Sequence, residues 1–581
     1  MPPIRNTPGP APLPRPLTTP AGVATSTPGT TSTPSPSSNV TTDVVDHQPS
    51  SPRHVPVERG NSHAQTREVL QTFFAPYDDP IQQDLACIRE VVEARKADPR
   101  AFVEGENPYK IQYAVYNLRN PAVVAALKEA HLAGVDVQIL IEQHQLDAAK
   151  TWNTADEELK AAGFDFAASH KGLTAAQRKE LDLIGIQGSG LMHLKSRIFS
   201  RPDPAGGPPV EKLLTGSMNP GDEAAGNNET LHLITDPQLI ARYKAKYQSV
   251  LEDKPLANEW KEGAPVNVLF TPATQGPQAA DKILELIDQE KEAIFMTVFS
   301  LRNITSPRQR ESMIDKLKKA KERGVEVVII TDRKQSDGIG MGANGGQGYN
   351  DKTEDLVKAA GIPVYECVNP AGPFNAMHQK NALFGLTNMK VVTDCGNWTE
   401  AALGSHKKKA VNDESFLFVD SKKLDNNATG LRYLSNFLVL LRQYENQQED
   451  APKAGALVEK FTKLPGWPKV TVNFDAVART HFGQEVYITG NHEALGNWTR
   501  SGPGLKMNTT GGTYPLWQAD TSVALPFGIS LEYKVVKRNE HGELQWEGGE
   551  NQLLVVDSGD LRVKGADQRG NTLKVDTRFR E

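Results

Sequence analysis

The chain has 581 residues, 38% of them hydrophobic, and a formal net charge of −6. That length suggests about three or four domains, and the mild acidity excludes a global basic field for recruiting nucleic acid or anionic membrane, while leaving room for a local basic groove. Three widely spaced cysteines, Cys87, Cys367 and Cys395, set up neither a metal spacing nor a disulfide framework and lean towards a reducing compartment. No apolar run reaches the roughly 18–20 residues of a membrane helix. The N-terminal segment has no apolar h-region, so the expectation is a cytoplasmic protein or one exported by a leaderless route.

Residues 1–40 hold 24 Pro, Thr or Ser, and the first aromatic is Phe73. Such a segment buries too little apolar surface to offset its ordering entropy, so residues 1–65 read as a disordered tail. The chain then says nearly the same thing twice. Tyr109–Leu118 alternates like a strand, Asn120–Ala133 has helical periodicity with Pro121 near its start and Gly134 as its stop, and Val135–Glu142 reads as a second strand. The order recurs in Glu292–Ser300, Glu311–Arg323 with Gly324, and Val325–Thr331. Strand, helix and strand in so short a span read as a parallel β-α-β unit. Each copy continues through a helix ending in Ala-Gly, at Gly163 and Gly361, to a His-x-Lys pair: His193 with Lys195, and His378 with Lys380. The repeat implies two α/β domains in pseudo-two-fold arrangement, expected over 66–258 and 259–448. A polar, proline-bearing linker is expected at 449–467. Residues 468–581 alternate in short segments between Gly, Asn and Pro signals, which reads as an all-β domain.

A His-x-Lys pair on a strand puts both side chains on one face. After each pair the chain turns back to an asparagine, Asn219 in Gly-Ser-Met-Asn and Asn397 in Asp-Cys-Gly-Asn. Two histidines, two lysines and two amides suit a phosphodiester group. One imidazole attacks phosphorus, the other protonates the leaving oxygen, and the lysines and amides hold the non-bridging oxygens. That chemistry calls for no metal and no cofactor. The glycine-rich stretch 337–348 lacks the P-loop pattern and reads as a loop after a strand end, at a site rim or simply mobile. Lys407–Lys409 reads either as a solvated turn or as a basic lip.

The duplicated His-x-Lys with Gly216-Ser217-Met218-Asn219 resembles the phospholipase D superfamily over residues 68–445. The resemblance implies a phosphodiesterase acting through a phosphohistidine, with His193 as nucleophile, His378 as general acid, and Ser217, Glu229 and Glu414 in support, each glutamate orienting a histidine. The chain departs from the family at four positions. The aspartate that follows each lysine is replaced by Ser200 and Gly385, and Asp394 and Cys395 stand where Gly-Ser is usual. An acid beside a phosphate site repels substrate unless it points away or pairs with a cation. Cys395 reads as a small buried residue.

Residues 469–557 resemble a starch-binding domain of carbohydrate-binding module family 20, on Phe-Gly-Gln-Glu-Val-Tyr-Ile-Thr-Gly-Asn (482–491), Ala-Leu-Gly-Asn-Trp (494–498), Tyr-Pro-Leu-Trp (514–517), Leu-Glu-Tyr-Lys (531–534) and Trp-Glu-Gly-Gly-Glu-Asn (546–551). The resemblance implies an immunoglobulin-like sandwich in which Trp498 and Trp546 stack on glucose rings beside Lys534, Glu547 and Asn551, with Trp517 in the core. A second family site is weakly matched, since Phe482 stands where tyrosine is usual. The expected partners are a phosphodiester, with phospholipid favoured, and a starch- or glycogen-like polysaccharide; peripheral membrane contact would come through the substrate. Two alternatives remain at this stage: a catalytically degenerate glycan-binding scaffold on the same fold, and a metal-independent nuclease of the superfamily.

Overall fold

The computed structural model describes residues 69–76, 78–98, 100, 102, 107–146, 153–336, 352–372, 375–405, 410–445, 455–499, 504–556 and 572–581. The tail at 1–65, the glycine-rich stretch 337–348 and Lys407–Lys409 lie outside these residues.

The two expected α/β copies are present. In the first, eight strands run in the order Leu70–Ala75, Glu229–Ile234, Val210–Gly216, Lys195–Arg201, Lys110–Val115, Asp136–Glu142, Leu183–Ile186 and Phe166–Ala167. In the second, the strands from Val266–Thr271 through Glu414–Asp420, Lys390–Asp394, Lys380–Phe384, Ala293–Val298 and Glu326–Asp332 to Val364–Cys367 repeat that order without the last edge strand. The β-α-β units are parallel, Lys110–Val115 with Asp136–Glu142 and Ala293–Val298 with Glu326–Asp332. Crossover helices form where capping chemistry permits: Asn120 accepts from Ala122 and Val123 N–H ahead of Pro121–Leu132, and Ser312 closes a capping box with Asp315 ahead of Met313–Glu322. Each His-x-Lys lies where a central strand begins. From there Lys195–Arg201 turns back antiparallel into Val210–Gly216, and Lys380–Phe384 into Lys390–Asp394.

After its final sheet strand each half sends out one long helix, Pro237–Glu252 in the first and Ala428–Tyr444 in the second. The second helix is buried on most of its surface and joins both halves to the C-terminal domain in a continuous apolar core. Within the stretch expected as a linker, Gly455–Phe461 is helical and buries Leu457, Val458 and Phe461. The Phe461 ring lies 5.6 Å from Phe295 and 5.6 Å from Trp467, whose indole N–H donates to Phe527 O at 2.9 Å. Three apolar side chains with a shared partner outweigh the polar composition around them. Arg442 donates to Gly528 O across the same junction.

The C-terminal domain is all β. Among the described residues its nine strands are antiparallel except for Lys469–Val477 against Thr572–Arg578, which pair parallel. No helix among the described residues is long and apolar enough to cross a membrane.

Candidate active site

The two His-x-Lys pairs meet at the junction of the halves, and each histidine is held by the other half. His193 Nδ1 lies 2.7 Å from Glu414 Oε2, and His378 Nδ1 lies 2.9 Å from both carboxylate oxygens of Glu229. A carboxylate only accepts, so each Nδ1 carries the proton and each Nε2 is left for chemistry. The backbone repeats the exchange: His193 N–H donates to Asp413 O, and His378 N–H to Asn228 O, both at 3.0 Å. Two short straps do this holding, Asn227-Asn228-Glu229 and Asn412-Asp413-Glu414. In each, the first asparagine donates to its own glutamate, Asn227 at 3.0 Å and Asn412 at 3.2 Å. It also accepts a backbone N–H just ahead of the opposite histidine, from Ala376 and Leu191 respectively. Asn227 and Asn412 went unread as functional in the sequence, although the triplets Asn-Asn-Glu and Asn-Asp-Glu carry the signal.

The lysines are buried, and each Nζ donates to the carbonyl of its own histidine, at 2.8 Å for Lys195 and 2.6 Å for Lys380. Asn219 Oδ1 and Asn397 Oδ1 are buried and find no hydrogen-bond partner among the described residues. Polar atoms without partners are costly. Asn219 follows the strand that pairs with the one opening at Lys195, and Asn397 follows the strand that pairs with the one opening at Lys380. Two aromatic walls complete the pattern. Tyr116 meets His193 edge-on at 5.2 Å, and Phe299 meets His378 at 4.6 Å. Their positions in Val-Tyr-Asn-Leu-Arg-Asn and Val-Phe-Ser-Leu-Arg-Asn were legible as a repeat but not as part of a site.

Burial sets the electrostatics. It pushes His193 down to about 4 and lowers His378, against the raising effect of the paired glutamates. Burial also lowers Lys195 and takes Lys380 down to about 7, with the Lys195 ammonium adding to the depression of Lys380. Glu229 stays below the usual carboxylate range despite burial, because His378, Lys380 and Ser217 favour its charge.

The departures from the family pattern resolve differently. Ser217 Oγ donates to Glu229 Oε2 at 2.5 Å, and Cys395 Sγ occupies the equivalent place, 3.3 Å from Glu414 Oε2. Cys395 is therefore a buried small residue with a hydrogen-bonding position. Asp394 points away from the phosphate side: its carboxylate accepts from Thr215 Oγ1 at 2.7 Å and from the Tyr243 hydroxyl, and burial raises its pKa to about 6. It has φ 105° where its counterpart Gly216 has φ 152°. At Gly216 a Cβ would fall 2.2 Å from Thr230 O, so only the second half tolerates a side chain there. Ser200 hydrogen-bonds Glu211 and takes no part in the site.

In the C-terminal domain Trp498 and Trp546 form one aromatic surface, with ring centroids 6.2 Å apart and tilted by 42°. Asn497 and Trp498 both hold positive φ, a strained turn that presents the ring. Lys534 donates to the carbonyls of Glu547 and Gly549, and exposed Asn551 donates to Glu532. Glu547 departs from the expectation. It is 2% exposed, and its carboxylate is engaged by Val535 N–H, Gln552 and Arg580, so it shapes the loop beneath Trp546 and does not face a ligand. Trp517 is in the core, donating to Ala478 O. Phe482 is fully exposed.

Comparison with known proteins agrees with this architecture. Residues 106–251 and 283–430, together about half of the chain, match the family described as cardiolipin synthase, PLD-like domain, and residues 469–564 match the starch binding domain family. An alpha-amylase of Streptomyces violaceus is 38% identical over 84 residues, 14% of each chain. A cyclomaltodextrin glucanotransferase of Geobacillus stearothermophilus is 40% identical over 111 residues, 19% of this chain and 15% of that one. The chain thus spans about a seventh of the length of these curated relatives. The phosphatidylserine synthase of Haemophilus influenzae Rd KW20 is 13% identical with a TM-score of 0.40, covering 68% of this chain and 93% of that one. With the duplicated domain, its paired motifs and the C-terminal module all matched, the chain belongs to the phospholipase D-like family and carries a C-terminal starch-binding domain of carbohydrate-binding module family 20.

Proposed function

We propose that the protein is a phospholipase D-like phosphodiesterase that works through a phosphohistidine and is held on α-glucan by its C-terminal domain. The observation that carries this reading is the exchange of carboxylates, which fixes both imidazoles by Nδ1 and leaves both Nε2 atoms free of it within electrostatic reach of Lys195 and Lys380. His193, neutral above about 4, attacks phosphorus through Nε2 while the lysines and asparagines hold the non-bridging oxygens. His378 acts as the imidazolium, keeping its Nδ1 proton on Glu229 and giving its Nε2 proton to the leaving oxygen. Water or an alcohol, deprotonated by His378, then attacks the same phosphorus and frees His193, giving hydrolysis or transphosphatidylation. The description of the matched family, cardiolipin synthase, favours a phospholipid substrate.

In His378→Ala a substrate with a good leaving group should leave phosphate covalently on the protein, and in His193→Ala it should leave none. Label in the reverse variant would overturn the assignment, and label in neither would favour the degenerate scaffold. A panel of phospholipids, DNA and RNA separates the lipase from the nuclease reading. For the glucan arm, the protein should sediment with insoluble starch, and Trp498→Ala/Trp546→Ala should weaken that roughly 10- to 100-fold. Unchanged sedimentation of the double variant would refute the tether.

A further inference from the structure

The hydrogen bonds that reach the two histidines match across the pseudo-two-fold axis, but what stands behind them does not. Behind Asn228 is a neutral contact, the Tyr444 hydroxyl donating to Asn228 Oδ1 at 2.5 Å. Behind its counterpart Asp413 is an ion pair: Lys246, 1% exposed, donates to Asp413 Oδ1 at 2.7 Å and to Thr271 O at 2.8 Å. A buried ion pair contributes little net stability and is often replaceable by apolar residues, so its presence calls for a geometric account.

Lys246 holds two points of one assembly. Asp413 accepts His193 N–H and donates its own N–H to Leu191 O, so it brackets the chain entering the histidine. Thr271 Oγ1 donates to Asn412 O at 2.9 Å and to Ala402 O at 2.8 Å. Asn412 in turn donates to Glu414, the carboxylate on His193 Nδ1. From one ammonium, then, lead the backbone and side-chain routes that set where the imidazole sits. We infer that Lys246 is a positioning residue for His193, fixing the strap Asn412–Glu414 through its ion pair with Asp413. This rests on the reading of His193 as nucleophile. Lys246 comes from the same half as His193, so the path runs from the first half through the second and back. The charged and titratable groups facing His193 are Glu414, with Cys395 behind it, Lys195, Lys380 and the Tyr116 ring.

Lys246→Met alone strands a buried carboxylate and can cost the fold. The decisive variant of the full chain is therefore Lys246→Met/Asp413→Asn, which copies the neutral arrangement of the other half and keeps Asn412 and Glu414. With bis(p-nitrophenyl) phosphate as probe, kcat should fall roughly 10- to 100-fold with KM nearly unchanged. By NMR of histidine-labelled protein, the His193 midpoint should fall further as the Glu414 contact that raises it loosens, with that of His378 unmoved. Tyr444→Phe should move His378 and leave His193 in place. A double variant with wild-type kcat and wild-type His193 titration, or one that only lowers Tm, would overturn the inference. Equal movement of both histidines would also overturn it, as a general loosening of the fold. If the wild type does not turn over the probe, the functional reading fails for that probe, and the titration arm still decides the positioning role.

Discussion

The two halves of the catalytic region execute one hydrogen-bonding plan with different chemistry. Strand order, His-x-Lys placement, straps and aromatic walls coincide, while Ser217 faces Cys395, Gly216 faces Asp394, Tyr116 faces Phe299, and the neutral Asn228–Tyr444 contact faces the ionic Asp413–Lys246 pair. What is shared is whatever aims an imidazole. Apart from the ring that meets each imidazole, what differs lies one contact further out. On the mechanism proposed above, a near-symmetric scaffold gives one histidine the role of nucleophile and the other that of acid without moving either.

Three measurements would break or sharpen that comparison. The largest effect should come from Glu414→Gln and Glu229→Gln, each lowering kcat between about 10² and 10⁴ fold by loosening the tautomer and aim of the opposite histidine. If the exchange between halves governs function, the Glu229→Gln defect should shrink with a substrate whose leaving group needs no proton, and the Glu414→Gln defect should not. Identical defects would erase the distinction between halves. Next, the pH–rate profile should have one limb from each half. Activity rises with pH through about 4 as His193 loses its proton and becomes nucleophilic, and declines as His378, its pKa lowered by burial, loses the proton the leaving oxygen needs and as Lys380, through about 7, loses the charge that holds phosphate. A profile still climbing above that range would contradict the lysine assignment. The smallest effect should come from Cys395→Ser, which copies Ser217 and replaces a weak thiol donor to Glu414. The expected change is under about tenfold, the scale of one hydrogen bond of ~1 kcal/mol, with the His193 titration displaced. An unmoved titration would mean that the thiol only fills space.

Much of this site was legible in the sequence because it is written twice. Two His-x-Lys pairs in matching β-α-β contexts gave the two histidines and two lysines that meet at the junction of the halves, and the halves folded as their periodicity indicated. The direction of the carboxylate exchange was not legible. Glu229 and Glu414 each lie downstream of a histidine in their own half, and only the approach of the two sheets decides that His193 takes Glu414, 221 positions away. Asp394 looked like a threat to a phosphate site because its partners, Thr215 and Tyr243, are distant in the chain. Glu547 looked like a sugar ligand because Arg580 and Gln552, which bury it, lie outside the motif. The helix Gly455–Phe461 was hidden by polar neighbours, since its apolar face is completed only by Phe295 and Trp467.

The exchanged carboxylates also bear on how such a chain can vary. In a two-fold homodimer every substitution is made on both sides at once. Once two copies share a single chain, Ser217 and Cys395, or Asn228 and Asp413, become separate heritable positions, and the halves are free to specialise. Yet the crossing of Glu229 and Glu414 keeps them bound to a common history: a mutation in one half's strap is expressed at the other half's histidine, so neither can drift alone.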